Sequence, residues 1–224
     1  MTSPSTTTAP TYEDRLWAEV DQIGALLHRL DPAELDEPSL CAGWRVRDVI
    51  GHMAYGHSTP MPQIVVALAR YRFDIPKGSF ELSKQWASAR TPDQIVTEWD
   101  RDLVAGRSRK GIAKTIKWDQ GFLDHFIHQR DIRRPLGRDV ATGADQLRAA
   151  LELLPTVQTK IFATKPVVEG LRLEATDVDW SHGDGPVVRG PGEALVLAAG
   201  GRTVALDDLE GDGVAVLAER LAAR

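Results

Sequence analysis

The stretch Phe122–Gly137 constrains the fold most, because it places ionisable side chains inside an apolar helical pattern. Its sequence, FLDHFIHQRDIRRPLG, provides apolar side chains for a core, yet Asp124, His125 and His128 lie among them. Burial of such groups costs free energy unless a partner satisfies them. A bound metal ion is one such partner.

The spacing of Asp124 and His128 places both side chains on one helix face, one turn apart. His52 lies in a second apolar helical pattern, VRDVIGHMAYG, and an antiparallel bundle brings it opposite that pair. Two imidazoles and one carboxylate leave a coordination position open, as in catalytic zinc sites. From spacing alone the alternative also stands: a helix-surface hydrogen bond between Asp124 and His128, and a packed structural His52.

Four long helices are predicted before residue 137, which indicates a helical bundle. The third opens at Thr91, where Thr91 and Gln94 form a capping-box pattern around Pro92. The four cover, in order, about residues 12–30, the segment after Trp44 with a break near GHSTPMP, the segment from Thr91, and about residues 118–136.

The chain after residue 137 changes in character. ADQLRAALELLPTVQTKIF predicts one further amphipathic helix, kinked at Pro155. LRLEATDV then alternates like a strand, SHGDGP predicts a turn, and VVRG predicts the paired strand, while GEALVLAAGG and GVAVLAERLAA are helical in pattern. The predicted fold is mainly α: a flexible leader at 1–11, a helical bundle at 12–165 and a small C-terminal α/β domain at 166–224.

Composition excludes several classes of partner. The 27 basic and 32 acidic residues give a net charge of −5, which favours neither nucleic acid nor an anionic membrane. No run approaches the roughly 20 apolar residues of a transmembrane helix. Cys41 is the single cysteine and no secretion signal is evident, so we expect a reducing, cytoplasmic location. A monomer and a homodimer are equally compatible with these features.

Two motifs carry a resemblance to a known family. CAGWRVRDVIGHMAYG resembles the first signature of the mycothiol-dependent maleylpyruvate isomerase family, in the DinB-like metal-binding superfamily, and DHFIHQRDIRRPLG resembles the second. The resemblance implies a DinB-like four-helix bundle over about residues 12–160 and, more loosely, the family's small C-terminal unit over residues 166–224.

The resemblance also implies a site and cofactors. It assigns the metal-ligand role to His52, Asp124 and His128 and implies mycothiol as the thiol cofactor, and zinc is the divalent metal that we expect at these ligands. Many relatives have Glu at the position of Asp124, and the shorter side chain changes the reach toward the ion. His125 is the competing ligand, and Asp124 is preferred because it matches the family position.

Several neighbouring residues allow two interpretations. Asp48 either orients the His52 ring or forms a salt bridge with an adjacent arginine, Arg45 or Arg47. His57 is predicted at a helix end or in solvent, with the open metal position as the alternative. We expect Trp44 to anchor its turn by burial. Cys41 is predicted to be a small packed residue, because the sequence places no base beside it.

Polar residues at the end of the same helix receive no catalytic role. Asp131, Arg133 and Arg134 either bind an anionic substrate or seal a bundle interface, and Asp131 and Arg134 have helical pair spacing. His28 and His182 show no spacing typical of ligands.

The predicted function is a metalloenzyme in which a metal-bound thiol, mycothiol by resemblance, isomerises or S-conjugates a small electrophile. The alternative is a non-catalytic module that binds or senses a metal or a thiol. A metal-free helical scaffold is the third hypothesis. The sequence does not identify the electrophile.

Overall fold

The computed structural model describes residues 9–138, 141–158 and 163–223. Most of the predicted leader, residues 1–8, lies outside the described residues. The same holds for residues 159–162, at the end of the helix predicted around Pro155.

Ten α-helices occur within the described residues, and short 3-10 helices lie at Pro32–Asp36, Ile112–Thr115 and Thr203–Asp208. A π-helical segment, Asp100–Ala105, continues the fifth helix. The helices are α1 Tyr12–Leu27, α2 Val46–Ser58, α3 Met61–Ala69, α4 Ile75–Ser88, α5 Pro92–Trp99, α6 Trp118–Arg133, α7 Ala144–Leu153, α8 Lys165–Val168, α9 Gly192–Ala199 and α10 Gly213–Ala222.

The predicted helix starts are confirmed at two capping boxes. The Thr11 side chain accepts a hydrogen bond from the Asp14 backbone at the start of α1. Thr91 and Gln94 form the expected reciprocal pair at the start of α5. These bonds satisfy backbone N–H groups that have no partner inside the helix.

The bundle core is built by α1, α2, α5 with its π-helical extension, and α6. Trp99 is fully buried between them, and its indole Nε1 donates to the Val20 carbonyl at 3.2 Å. Apolar side chains at helical spacing fill the remainder of this core, including Val20, Ile23, Val49, Ile50, Met53, Ile95, Leu103, Phe122 and Phe126.

Helix α4 is the main element that the sequence pattern does not predict. It packs along α2 so closely that a Cβ on Gly51 would lie 2.6 Å from the Ser83 carbonyl oxygen. Its buried face follows helical spacing, but it combines Leu82 and Trp86 with the small or polar residues Gly78 and Ser83, so few large apolar side chains mark it in the sequence. The helix matters because it brings serine hydroxyls toward α2.

The C-terminal segment contains a small three-stranded sheet. The strands β1 Arg172–Ala175, β2 Ser181–His182 and β3 Val187–Gly190 lie in the order β2-β1-β3. β1 pairs parallel with β3 and antiparallel with β2. The VVRG strand is therefore confirmed, whereas the prediction that SHGDGP forms only a turn is wrong. Its first two residues pair with β1.

A single cluster of buried apolar residues extends from Leu16 to Leu221, and α9 packs against both the sheet and the bundle helices α6 and α7. The division at residues 165 and 166 stays a prediction. None of the described helices is both long and apolar enough to span a bilayer.

Candidate metal centre

The packing of α2 against α6 brings the three predicted ligands together. His52, Asp124 and His128 each offer a ligand atom, and these atoms all lie within 4.8 Å of one another. The Nε2 atom of His128 lies 3.6 Å from Asp124 Oδ1. Their role as ligands stays a prediction, but the required convergence of α2 and α6 is present.

A buried carboxylate holds the other nitrogen of His128. The Nδ1 atom lies 2.8 Å from Oδ2 of Asp131, whose side chain is fully buried. Because a carboxylate accepts, Nδ1 carries the proton of a neutral ring, and the lone pair of Nε2 faces Asp124. The predicted pairing of Asp131 with Arg134 is wrong, since Arg134 pairs with Asp208.

Helix α4 and the turn before α2 support the His52 ring. The Ser79 hydroxyl lies 3.2 Å from Nδ1 of His52, which leaves Nε2 on the side of the cluster. The Trp44 ring is half-buried and packs against both histidines, with centroid distances of 5.3 Å to His52 and 6.3 Å to His128. Trp44 thus contacts the site itself as well as its own turn.

The orienting role considered for Asp48 is wrong, and the salt-bridge alternative is confirmed. Asp48 accepts from the backbone N–H of Arg45 at 2.9 Å and from its guanidinium at 3.1 Å. The hydroxyl of Ser79 takes the place beside His52 instead.

A cluster behind His128 contains a residue that the sequence does not predict. Arg202, which follows α9, donates to both carboxylate oxygens of Asp131, and its Nη2 lies 3.2 Å from Cys41 Sγ. Cys41 Sγ also lies 3.1 Å from Asp131 Oδ2 and 3.9 Å from His128 Nδ1. The expectation that no base lies beside Cys41 is therefore wrong. No periodicity or motif marks Arg202 in the sequence.

The charges of the site favour a protonated His128 in the absence of an ion. Burial opposes that proton, but the carboxylates of Asp124 and Asp131 outweigh it and raise the pKa of His128 to about 10. Burial and the charge of His128 lower the pKa of His52 to about 4. Burial raises the pKa of Asp131, but hydrogen bonds from His128 and Arg202 bring it well below its usual range.

Among the described residues, two sets of side chains have ligand atoms close enough for a metal, and they differ in fit. Cys41, His128 and Asp131 also lie within 4.8 Å of one another. The Arg202 guanidinium contacts Cys41 and Asp131, so its positive charge opposes a cation there. In the set of His52, Asp124 and His128, Arg202 contacts only the Nδ1 side of His128, at 3.5 Å. The two imidazole nitrogens and one carboxylate of this set suit a divalent ion with an open position.

A cavity of about 340 Å³ adjoins this set, and His52 and Asp124 form part of its wall. The open side of the candidate centre therefore faces the cavity. Its remaining wall is largely apolar and includes Leu16, Met53, Ile64, Leu68, Ile75, Leu82, Ile112, Ala113 and Ile116.

Two further histidines line the cavity. His57 lies in the last turn of α2, as predicted, but it is only 3% exposed and its Nδ1 donates to the Ser108 carbonyl at 2.7 Å, so the predicted exposure to solvent is wrong. The His125 ring meets His57 edge-on at 5.0 Å, and its Nδ1 donates to the Gly121 carbonyl at 2.9 Å. The structure groups Asp124, and not His125, with the other two candidate ligands.

The remaining polar residues considered in the sequence lie in structural contacts. Arg133 donates to the carbonyl of Gln22 on α1 at 3.1 Å, which agrees with sealing of the bundle interface. His28 contacts Asp100 at 2.8 Å, and His182 is exposed in β2.

The fold and the site together define a helical-bundle protein with a candidate histidine-carboxylate metal centre beside an apolar cavity. Residues 16–109 match the family model described as the mycothiol maleylpyruvate isomerase N-terminal domain. Over these residues, which include the first motif, the resemblance to the mycothiol-dependent maleylpyruvate isomerase family is confirmed. The matched residues include His52 and end before α6.

Two solved structures share the fold. One is a crystal structure of the mycothiol-dependent maleylpyruvate isomerase, 20% identical with a TM-score of 0.58. The other is that of its H52A mutant, 19% identical with a TM-score of 0.56. Each comparison covers 91% of this chain and 93% of the other. The predicted fold class, mainly helical with a small C-terminal sheet, is confirmed. No curated protein matches significantly in sequence.

Proposed function

We propose that this protein is a thiol-dependent metalloenzyme that isomerises or S-conjugates a small electrophile. The similarity to proteins named mycothiol-dependent maleylpyruvate isomerase supports mycothiol as the thiol. The observation that carries the proposal is the convergence of His52, Asp124 and His128 at the wall of an apolar cavity.

The proposed ligands are His52, Asp124 and His128, and the proposed ion is zinc, which accepts two imidazoles and a carboxylate with a fourth position open. When bound, a divalent ion lowers the pKa of a thiol beside it and so supplies a thiolate near neutral pH.

The chain's own residues prepare the donor atoms for that role. Asp131 holds the Nδ1 proton of His128, so Nε2 is the nitrogen that would give up its proton to bind an ion. Arg202 keeps Asp131 ionised through two hydrogen bonds, so the shared proton remains on Nδ1 of His128. The Ser79 hydroxyl fixes the His52 ring from the opposite side of the site.

The cavity provides the place for the electrophile. A largely apolar wall reduces the number of water molecules around a thiolate and strengthens electrostatic interactions inside. Its volume of about 340 Å³ suits a small molecule.

Elemental analysis of purified protein tests the metal half of the proposal. We expect about one zinc per chain in the wild type and its loss in His52→Ala and His128→Ala. His28→Ala is the matched control, since His28 contacts Asp100 away from the centre. A metal-free wild type, or His52→Ala and His128→Ala variants that retain the ion, would contradict the proposal.

A turnover assay tests the enzymatic half. We expect consumption of maleylpyruvate or another electrophile of a broad panel only when mycothiol is present. Stoichiometric metal without thiol-dependent consumption of any electrophile would favour the alternative, a non-catalytic metal- or thiol-binding module.

A further inference from the structure

Arg109 is the only arginine or lysine among the described residues that line the cavity. Its Nε donates to the Ala113 carbonyl at 2.9 Å, and its Nη2 donates to the carbonyls of Ala113 and Ile116. The guanidinium also stacks over the Trp118 ring, 3.7 Å from the centroid. Four contacts thus fix its position in the wall.

These contacts give the Arg109 charge no salt bridge, and Glu13 acts on it only through a longer-range attraction. No carboxylate of the described residues lies in salt-bridge contact with Arg109, and its Nη1 donates to none of their acceptors. Burial lowers the pKa of Arg109, which reflects the loss of water around the guanidinium. A partly desolvated, rigid guanidinium with a free donor favours an anion, above all a carboxylate.

The wall near the metal centre has the opposite preference. The Nδ1 of His125 donates to Gly121, so its Nε2 carries a lone pair, and this buried atom has no hydrogen-bond partner among the described residues. Asp124 adds a carboxylate on the same wall. Under the proposed function, the two positive charges of the ion are matched by Asp124 and the thiolate. A second anionic group therefore finds no cation there.

We propose that the cavity selects an electrophile with an apolar body and a single carboxylate, which Arg109 binds. The apolar wall between Arg109 and His52 takes the body of the molecule, with its reactive carbon toward His52 and Asp124. Binding of the carboxylate and the apolar body is independent of the proposed function. Only the requirement for a reactive carbon rests on that function. Maleylpyruvate carries two carboxylates, so this chain prefers a different acid from the one in its relatives' name.

Calorimetric titration with three unreactive six-carbon probes tests the binding preference: hexanoate, hexanol and adipate. We expect the wild type to bind hexanoate about tenfold or more tightly than the neutral hexanol and the dianionic adipate. Equal affinity for hexanol, or equal or tighter binding of adipate, overturns the proposal. This comparison uses only the wild type, so it decides the question even where a variant fails to fold.

Variants of Arg109 assign the preference to its guanidinium. We expect Arg109→Gln to lose about tenfold in hexanoate affinity with hexanol binding unchanged, and Arg109→Lys to lose less. Arg101→Gln is the matched control, because Arg101 pairs with Asp102 outside the cavity wall. Unchanged hexanoate binding in a folded Arg109→Gln overturns the assignment.

The titrations need neither thiol nor turnover, and they are repeated after removal of metal with a chelator. Selective hexanoate binding by a protein without metal or activity would support the cavity proposal while the enzymatic function fails. Thiol-dependent turnover with no carboxylate preference would support the enzymatic function and contradict the cavity proposal.

Discussion

Oδ2 of Asp131 lies 2.8 Å from Nδ1 of His128, one helical turn away, and the Asp131 side chain is fully buried. A buried carboxylate requires compensation, which His128 and Arg202 provide. The pair fixes the ring so that its Nε2 points toward Asp124. It therefore links the orientation of a candidate ligand to the C-terminal segment.

Substitution of Asp131 tests this orientation. In Asp131→Asn the neutral amide attracts the Nδ1 proton of His128 less strongly than the carboxylate does, so we expect metal affinity to fall by about 10- to 100-fold. A competition titration with a chromophoric chelator measures the change. The exposed Asp93→Asn should leave the affinity unaltered, and an unaltered affinity in Asp131→Asn would mean that the carboxylate does not position the ligand.

Substitutions of the adjacent residues Asp124 and His125 on α6 should differ in their effect on zinc content. We expect Asp124→Asn to lose most of its bound zinc and His125→Asn to retain about one ion per chain, because only Asp124 belongs to the candidate set. Zinc content after dialysis measures both. Loss of zinc in His125→Asn with retention of zinc in Asp124→Asn would mean that His125, and not Asp124, is the ligand.

Metal binding should release protons. With a pKa of about 10, His128 is protonated at pH 7–9 without the ion, whereas His52, at about 4, is neutral. The ion must displace the His128 proton, so we expect release of about one proton per ion and an affinity that rises with pH up to about 10. Calorimetry in buffers of different ionisation enthalpy counts the protons. Zero release would show that His128 is already neutral or does not bind.

The close approach of α2 and α4 predicts a stability effect. A Cβ on Gly51 would lie 2.6 Å from the Ser83 carbonyl oxygen, so we expect Gly51→Ala to lower the free energy of unfolding by about 1–3 kcal/mol. Gly143→Ala is the control, since a Cβ there meets no atom within 4 Å. Urea unfolding measures both variants. Equal stability of the two would show that the helices separate without cost.

The sequence predicts those parts of the structure that depend on local pattern. The helices α1, α2, α5 and α6 follow apolar periodicity and capping residues, and the pair of Asp124 and His128 follows helical spacing. Helix α4 buries the small or polar residues Gly78 and Ser83 beside Leu82 and Trp86, and the two-residue strand β2 depends on pairing with β1. Such elements are set by tertiary contacts.

The residues that position the candidate ligands cannot be predicted from local sequence pattern for the same reason. Arg202 meets Asp131 across 71 residues of chain, and Ser79 meets His52 across 27. Spacing alone likewise predicts neither the contacts of Cys41 with Asp131 and His128 nor the burial of His57. Only the packing of distant segments defines these contacts.

The reach of Arg202 into the bundle bears on how this chain can be divided. A protein trimmed after α7 would keep every proposed ligand and still lose the Arg202 guanidinium, leaving His128 as the only group of opposite charge that pairs with Asp131 among the described residues. The C-terminal segment is thus an electrostatic component of the centre rather than a detachable accessory.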